Sequence, residues 1–179
     1  MRVDDIAEAA GVSPRTYNNY FSSREQAIVA AVVADRAARI ADAVIDHSDA
    51  GTLAEAVIEA VVTQHAAPGE HAMDTILMIT SSPALRSCYV DTVASIEGPL
   101  AEAIVERCVH RARNGSMSQG ADPLVAQVLA TSVAAATKVA LRQWLRPSGV
   151  PGLVVVSGTL PDLLRKALTP LAPALEAAG

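Results

Sequence analysis

The stretch that decides the fold of the N-terminal part is GVSPRTYNNYF, Gly11–Phe21. Before it, apolar residues recur at positions 3, 6, 7 and 10, which is the spacing of one helical face. Gly11 ends that helix, because glycine readily adopts the left-handed conformation at a helix C-terminus. Ser13 suits the N-cap of a second helix, and Pro14 suits its first position, where no N–H is needed. The pattern predicts a helix-turn-helix.

The second of these helices has two different faces. Tyr17 and Phe21 lie four residues apart and share the face expected to pack on the first helix. The opposite face carries short polar groups around one arginine, sized to reach a DNA major groove. Asn pairs bidentately with adenine and Arg with guanine, whereas hydroxyl groups suit phosphates, which fix the register. The predicted DNA-binding residues are Ser13, Pro14, Arg15, Thr16, Asn18, Asn19, Tyr20 and Arg24.

A third, longer helix follows this motif. Ser22 and Glu25 fit the S-x-x-E capping box, and the apolar pattern continues to about Ile45. Arg24 adds a cation beside the N–H groups of the first turn, which favours a phosphate. On spacing alone, the alternative is a solvated helix-turn-helix in an ordinary helical protein.

The rest of the chain is predicted to be helical. Helical patterns lie near 53–65, 72–80, 84–113, 123–145 and 159–177, with breakers at 47–52, 66–70, 81–83, 114–122 and 146–152. Gly98-Pro99 should kink the longest of them, and Pro170 and Pro173 should distort the last. Residues 152–158, GLVVVSG, have strand composition but no partner strand. The predicted fold class is therefore all-α.

Composition restricts the partners of the chain. Its 179 residues are 51% hydrophobic and 18% charged, with a net charge of −5 and a mean hydropathy of +0.29. Because the balance is acidic, contact with DNA has to be local; Ser13 to Arg24 holds two arginines and no acid. No uncharged run reaches the roughly 18 residues of a membrane span, so no membrane partner is predicted. Isolated cysteines and a start without a signal peptide predict a cytoplasmic protein.

The segment DIAEAAGVSPRTYNNYFSSREQAI, Asp5–Ile28, resembles the DNA-binding segment of the TetR family of transcriptional regulators. The family pattern is D-I-A-x-x-A-G-V-S-x-x-T-[apolar]-Y-x-[YH]-F-x-[ST]-K-E. The matching residues are Asp5, Ile6, Ala7, Ala10, Gly11, Val12, Ser13, Thr16, Tyr20, Phe21, Ser23 and Glu25. The resemblance implies a homodimer that binds double-stranded operator DNA through a domain over 1–46. It also implies a helical effector-binding and dimerisation domain over 47–179.

The segment departs from the family pattern in three ways. Asn18 stands where the family often has tyrosine, and Tyr17 takes the apolar position before it. Arg24 replaces the usual lysine and keeps its charge. The family has a whole helix before this segment, whereas only Met1–Asp4 precede it here, and we expect this to reflect a truncated start. The alternative function is a dimeric helical ligand-binding or interaction protein that has lost DNA binding through N-terminal truncation.

The helices near 123–145 and 159–177 are the predicted dimer contact. The first begins with Asp122 and a proline and is rich in small residues, which allow helices to approach closely. Together they resemble the pair that forms the four-helix dimer interface in this family. The alternative is that both pack within the core of one monomer.

The effector pocket is predicted from the apolar stretch MDTILMI, 73–79, and from the helices after it. Methionine adapts to varied ligands, although core packing is the alternative role for these residues. Residues 81–104 are faintly similar to regulators with acyl-CoA-like effectors, in which Arg86 or Arg142 would meet an anionic head group. The predicted effector-binding residues are Met73, Leu77, Arg86, Tyr89, Val93, Ile96, Thr137, Leu141 and Trp144.

No motif for catalysis, a metal or a cofactor is predicted. The four histidines are scattered, and no nucleophile has a base at motif spacing, which disfavours a helical hydrolase. The predicted function is a ligand-responsive, sequence-specific DNA-binding regulator. We expect a repressor that a small apolar or acyl-type effector releases from its operator.

Overall fold

The computed structural model describes residues 24–47, 51–66, 83–114, 122–145 and 158–179. The α-helices are α1 (Arg24–Asp46), α2 (Leu53–Ala66), α3 (Pro83–Thr92), α4 (Glu97–Arg113), α5 (Pro123–Trp144), α6 (Leu160–Leu168) and α7 (Ala172–Ala178). Two 3-10 turns, Val93–Ile96 and Thr169–Leu171, join α3 to α4 and α6 to α7. These residues contain no strand, and the all-α prediction is confirmed. The predicted helix-turn-helix up to residue 23 and the helix near 72–80 lie outside the described residues.

Local sequence signals set where three of the helices begin. The Asp122 carboxylate accepts a hydrogen bond from Leu124 N at 2.8 Å, with Pro123 at the first position of α5. Thr52 and Glu55 form a reciprocal capping box at the start of α2, with distances of 2.8 and 3.1 Å. The Thr159 hydroxyl caps α6 by accepting a hydrogen bond from Asp162 N at 3.3 Å. The predicted Asp N-cap of α5 is thereby confirmed.

The predicted kink lies slightly upstream of the residues that cause it. The helical path breaks into the 3-10 turn Val93–Ile96, and Gly98 and Pro99 fall in the first turn of α4. Pro99 needs no intrahelical donor there, whereas a continuous helix would require its missing N–H to bond residue 95. The expected distortion near Pro170 is confirmed, because the turn Thr169–Leu171 separates α6 from α7.

One apolar core connects the described helices. Helix α1 packs along α2, α3 and α4, α4 packs along α5, and α5 packs along α6. The largest fully buried side chains are Val33, Ile40, Val44, Leu53, Ile96, Leu100, Ile104, Leu141, Leu164, Leu168 and Leu175. Because members of this set come from every described helix except α3, the C-terminal half of α1 belongs to the same packed body as residues 53–178.

Helix α5 is long and apolar enough to cross a membrane by length and composition alone, the one such helix among the described residues. Of its most apolar window, 44% is buried within the fold. Core helices of soluble proteins pass the same test, so this property is weak evidence for a membrane span. The buried side of α5 contacts α4 and α6.

Candidate functional site

Helix α1 leads from the predicted DNA-binding segment into the core. It begins at Arg24, the last predicted DNA-binding residue, and runs for 23 residues to Asp46. Val33, Ala37, Ile40 and Val44 form one buried stripe along its C-terminal half. This stripe packs the C-terminal half of α1 into the apolar core.

A buried arginine fixes the C-terminal end of α1. Arg107, on α4, is only 3% exposed. Its Nη1 donates to Val44 O at 3.2 Å and His47 O at 2.6 Å, and its Nη2 donates to Gly51 O at 3.3 Å. These carbonyls lie at or just beyond the helix end, where intrahelical donors are missing, and a cation there also opposes the helix dipole. We call these four residues the Arg107 clamp.

A second arginine bridges the middle of α1 to two other helices. The Nε of Arg36 donates to Gln64 O, in the last turn of α2, at 3.1 Å. Its Nη1 donates to the Tyr89 hydroxyl, on α3, at 2.7 Å, and its guanidinium carbon lies 5.7 Å from the centre of the Tyr89 ring. Arg36 is half-buried and Tyr89 is buried. We call Arg36, Gln64 and Tyr89 the Arg36 bridge.

His65 lies beside this bridge and is neutral at pH 7. Burial, together with the positive charge of Arg36, lowers the pKa of His65 from 6.5 to about 4, against a smaller opposing effect of a hydrogen bond to Val61. Its Nδ1 lies 2.8 Å from Val61 O, which can only accept. The proton therefore resides on Nδ1, and Nε2 keeps its lone pair.

A small cavity lies between α3 and α5. It has a volume of about 200 Å³ and is lined by Arg86, Ser87, Val90, Asp91, Arg142 and Leu145. Asp91 pairs with Lys138 at 2.7 Å and with Arg142 at 3.8 Å, and it accepts from Ser87 at 3.2 Å. The hydrogen bond from Lys138 lowers the pKa of the Asp91 carboxyl. Two of the cations near this cavity thus already face a carboxylate.

A larger cavity, about 370 Å³, lies between α2 and α7. Its polar lining is mainly acidic, with Glu55, Glu59 and Glu176 beside His47. No group of three ligating side chains within the described ranges could hold a metal ion. Its described lining therefore contains no such metal-binding group and no lysine or arginine that could bind an anion.

The outer face of α5 is apolar. Leu124, Val125, Val128 and Val139 are 71%, 43%, 57% and 60% exposed. They share one side of the helix, opposite the buried Ala126, Ala130 and Leu141. Exposed aliphatic side chains aligned on one helix face are typical of a surface that packs against another protein.

The comparison with protein families identifies the chain. The family model described as the MftR C-terminal domain, of TetR type, matches residues 48–176, more than two thirds of the chain. The chain belongs to the TetR family. No curated protein matches it. A TetR C-terminal domain makes the chain a TetR-type transcriptional regulator, and such regulators are not typically enzymes.

In this TetR-family chain, the predicted effector residues divide into three groups. Tyr89, Val93, Ile96, Thr137 and Leu141 are buried in the core, and Trp144 is half-buried against it. Thr137 satisfies its hydroxyl on Val133 O at 2.8 Å. Arg86 lines the smaller cavity. Met73 and Leu77 lie outside the described residues. The structure thus places Arg86 and Arg142 at the same cavity. Tyr89 does not line this cavity and instead contacts Arg36 on α1.

The predicted DNA-binding residues of this TetR-family chain mostly lie beyond the described part. Ser13, Pro14, Arg15, Thr16, Asn18, Asn19 and Tyr20 fall outside it, and Arg24 is the first residue of α1. Sequence reasoning missed Arg36, Gln64 and Arg107. A signal for Arg36 exists, because it borders the apolar stripe of α1, where a solvated arginine is not expected. Arg107 likewise stands beside the buried Ile104 and Cys108.

Proposed function

We propose that this TetR-type regulator is a sequence-specific repressor, released from its operator by a small apolar or acyl-type effector. Residues 1–46 form the DNA-binding domain and residues 47–179 form the domain that binds the effector and dimerises. The proposal includes a cytoplasmic location, in keeping with the family. Family membership supports the DNA-binding part, and the course of α1 supports the response to a ligand.

The single observation that carries the proposal is the continuity of α1. Its first residue belongs to the family-like DNA-binding segment, and its last two turns are held in the core by Ile40, Val44 and the Arg107 clamp. An effector that alters the packing around this helix would change the spacing of two recognition helices. The two recognition helices have to match half-sites about 34–36 Å apart along DNA. A coupling free energy of ~1–3 kcal/mol between effector binding and DNA binding is enough for regulation.

A second copy of the chain is the proposed partner of the outer face of α5. Its exposed leucine and valines would be covered by the same face of the other protomer, as the two-fold symmetry of an operator requires. Val128→Glu should weaken the dimer roughly 30-fold or more, the scale of a central interface residue. Sedimentation equilibrium of this variant measures the effect. Glu106→Ala, an exposed change on α4, is the control and should leave the dimer unchanged.

DNA binding is tested by fluorescence anisotropy on labelled DNA from the chain's own promoter region. Titrations at two salt concentrations, with unlabelled random DNA as competitor, separate specific from general binding. We expect competitor-resistant binding that weakens with salt. Arg15→Ala should cost about 1–3 kcal/mol on the cognate site alone, whereas Arg24→Ala should weaken all sequences alike. No binding from a folded dimer would instead favour the helical interaction protein.

A further inference from the structure

We propose that Arg36 is the receptor for an anionic group, a carboxylate or a phosphate, on the effector, at the contact between α1 and α3. This inference rests on the proposed function, because it names the ligand class of that effector and the point where its binding reaches the DNA-binding helix. The chemistry shared by the two candidate groups is a planar or tetrahedral set of oxygens that accepts from a guanidinium.

No carboxylate in the part of the chain that the structure describes compensates the charge of Arg36. Its described acceptors, Gln64 O and the Tyr89 hydroxyl, are both neutral. Among the described residues, no carboxylate pairs with it; Asp35, one residue away, pairs with Arg39 instead. Its Nη2 donates to no described residue. A half-buried cation with neutral partners loses hydration without an opposite charge in return, so an anion would be bound favourably here.

The neighbours of Arg36 suit an anion. The Tyr89 hydroxyl accepts from Arg36 and keeps its own hydrogen to donate to a ligand oxygen. His65 is uncharged at pH 7, so it adds no second charge beside Arg36. A bound anion would therefore meet a guanidinium and a hydroxyl donor on adjacent helices.

The cavity at Arg86 and Arg142 is the weaker alternative. Asp91 already accepts from Lys138 and lies close to Arg142, so an incoming anion has to compete with a fixed carboxylate. Arg142 is also 63% exposed, and water screens its charge. The same chemical group thus gains more at Arg36, where the partners are neutral and the site is partly dehydrated.

The position of Arg36 gives anion binding a mechanical consequence. The guanidinium ties α1 to the end of α2 and to α3 at once, so a ligand that draws it away from Tyr89 or Gln64 loosens one of these ties. The Arg107 clamp holds the end of α1 independently of this bridge. Movement would therefore be concentrated in the N-terminal part of α1, toward the DNA-binding segment.

Three probes of equal chain length test the proposal on the full chain: sodium octanoate, octyl phosphate and octan-1-ol. Calorimetric titration at constant ionic strength gives the preference for each anion over the alcohol. We expect a preference of roughly tenfold or more for at least one anion in the wild type, which identifies the carboxylate or the phosphate as the group. We also expect that anion to shift the ¹⁵N resonance of Arg36 Nε.

Arg36→Gln should abolish this preference, because glutamine keeps a hydrogen-bonding side chain but removes the positive charge. Arg39→Gln is the matched control, because Arg39 also lies on α1 and also donates to Gln64, yet it is exposed and paired with Asp35. It should retain the preference. Arg36→Lys, which keeps the charge without the fork geometry, should fall between wild type and Arg36→Gln.

Three results would overturn the proposal: no anion preference in the wild type, a preference that survives Arg36→Gln, or its loss in Arg86→Gln instead. If Arg36→Gln does not fold, an unshifted Arg36 Nε resonance in the wild type with saturating anion decides against it. The DNA titration is read separately. Anion binding through Arg36 by a chain that ignores DNA would support the receptor and refute the repressor. Operator binding with anion affinity indifferent to Arg36 would do the reverse.

Discussion

Two arginines that are at least half-buried connect α1 to other parts of the TetR-family fold, and their surroundings differ. Arg107 is almost fully buried and donates to three carbonyls at the end of α1. Arg36 is half-buried and holds two neutral acceptors on two other helices. The Arg107 guanidinium donates to carbonyls at a helix end, where intrahelical donors are missing. The Arg36 guanidinium has an Nη2 group that donates to no described residue.

The different surroundings of Arg107 and Arg36 predict different roles, one in the stability of the fold and one in the response to a ligand. Arg107 donates to backbone carbonyls at the end of α1 and in the segment just after it, so its contacts fix where the helix ends. Arg36 acts on a side-chain hydroxyl and on the end of another helix, and both can shift without unfolding. We therefore expect the Arg107 clamp to stabilise the fold and the Arg36 bridge to change its contacts when a ligand binds. Four measurements test this difference.

The largest effect is expected from Arg107→Met. The substitution fills similar volume but leaves Val44 O and His47 O without their donor, and Gly51 O with only Arg111, at 2.9 Å. Unsatisfied buried carbonyls cost about 1–3 kcal/mol each, so the free energy of unfolding should fall by about 3 kcal/mol. Urea denaturation followed by circular dichroism measures the loss. A loss below about 1 kcal/mol would show that the clamp contributes little.

The next effect is the pH dependence due to His65. Its pKa is about 4 in the fold and near 6.5 when unfolded, so the unfolded state takes up the proton first as pH falls. Its contribution is fully present above pH 6.5 and is lost on going down to pH 4. Since the ring is partly exposed, we expect a loss of about 2 kcal/mol rather than the full shift. The difference between wild type and His65→Gln, measured from pH 7 to 4.5, isolates this contribution; equal slopes would contradict the lowered pKa of His65.

A smaller effect is expected at the Arg36 bridge itself. Arg36→Gln and Tyr89→Phe should each lower the free energy of unfolding by about 1 kcal/mol, the usual value of a partly buried hydrogen bond. In a double-mutant cycle their coupling should be about 0.5–1.5 kcal/mol, because the two groups contact directly. A coupling near zero would mean that the bond from Nη1 to the hydroxyl is not formed in solution.

The smallest effect is expected from Arg39→Gln. Arg39 pairs with Asp35 one turn away on the exposed side of α1. Exposed helix pairs contribute about 0.3–0.5 kcal/mol, and the loss should vanish in high salt. Thermal unfolding at low and high salt tests this. A large, salt-insensitive loss would place Arg39 in the same class as Arg36.

The sequence was sufficient to predict most of the described helices, because their signals are local. The Asp122 cap, the breaker near Gly51 and the prolines at 170 and 173 act within one or two turns. The break before Gly98-Pro99 was displaced upstream, since a missing proline N–H affects the preceding turn. The family resemblance from residues 5–28 agreed with a family match that covers a different part of the chain, 48–176.

The candidate site was less predictable, because its contacts join residues far apart in the chain. Arg36 and Tyr89 are 53 positions apart, and Arg107 and Val44 are 63 apart. The sequence predicts Tyr89 as an effector-binding residue, and the structure shows in addition that its hydroxyl accepts from Arg36. Arg86 and Arg142 do line one cavity, but the sequence alone does not show that Asp91 lies in the same cavity and would compete with an anion.

The most direct test of this difference is amide hydrogen exchange along α1, with and without a saturating amount of the anion that binds more tightly, octanoate or octyl phosphate. Residues 24–39 contain Arg36 and the N-terminal part of α1, and residues 40–47 lead into the Arg107 clamp. We predict that the anion changes exchange in the first segment and leaves the second unchanged, and that Arg36→Gln removes the change. An equal change in both segments, or a change confined to 40–47, would contradict the assignment of adjustment to Arg36 and stability to Arg107.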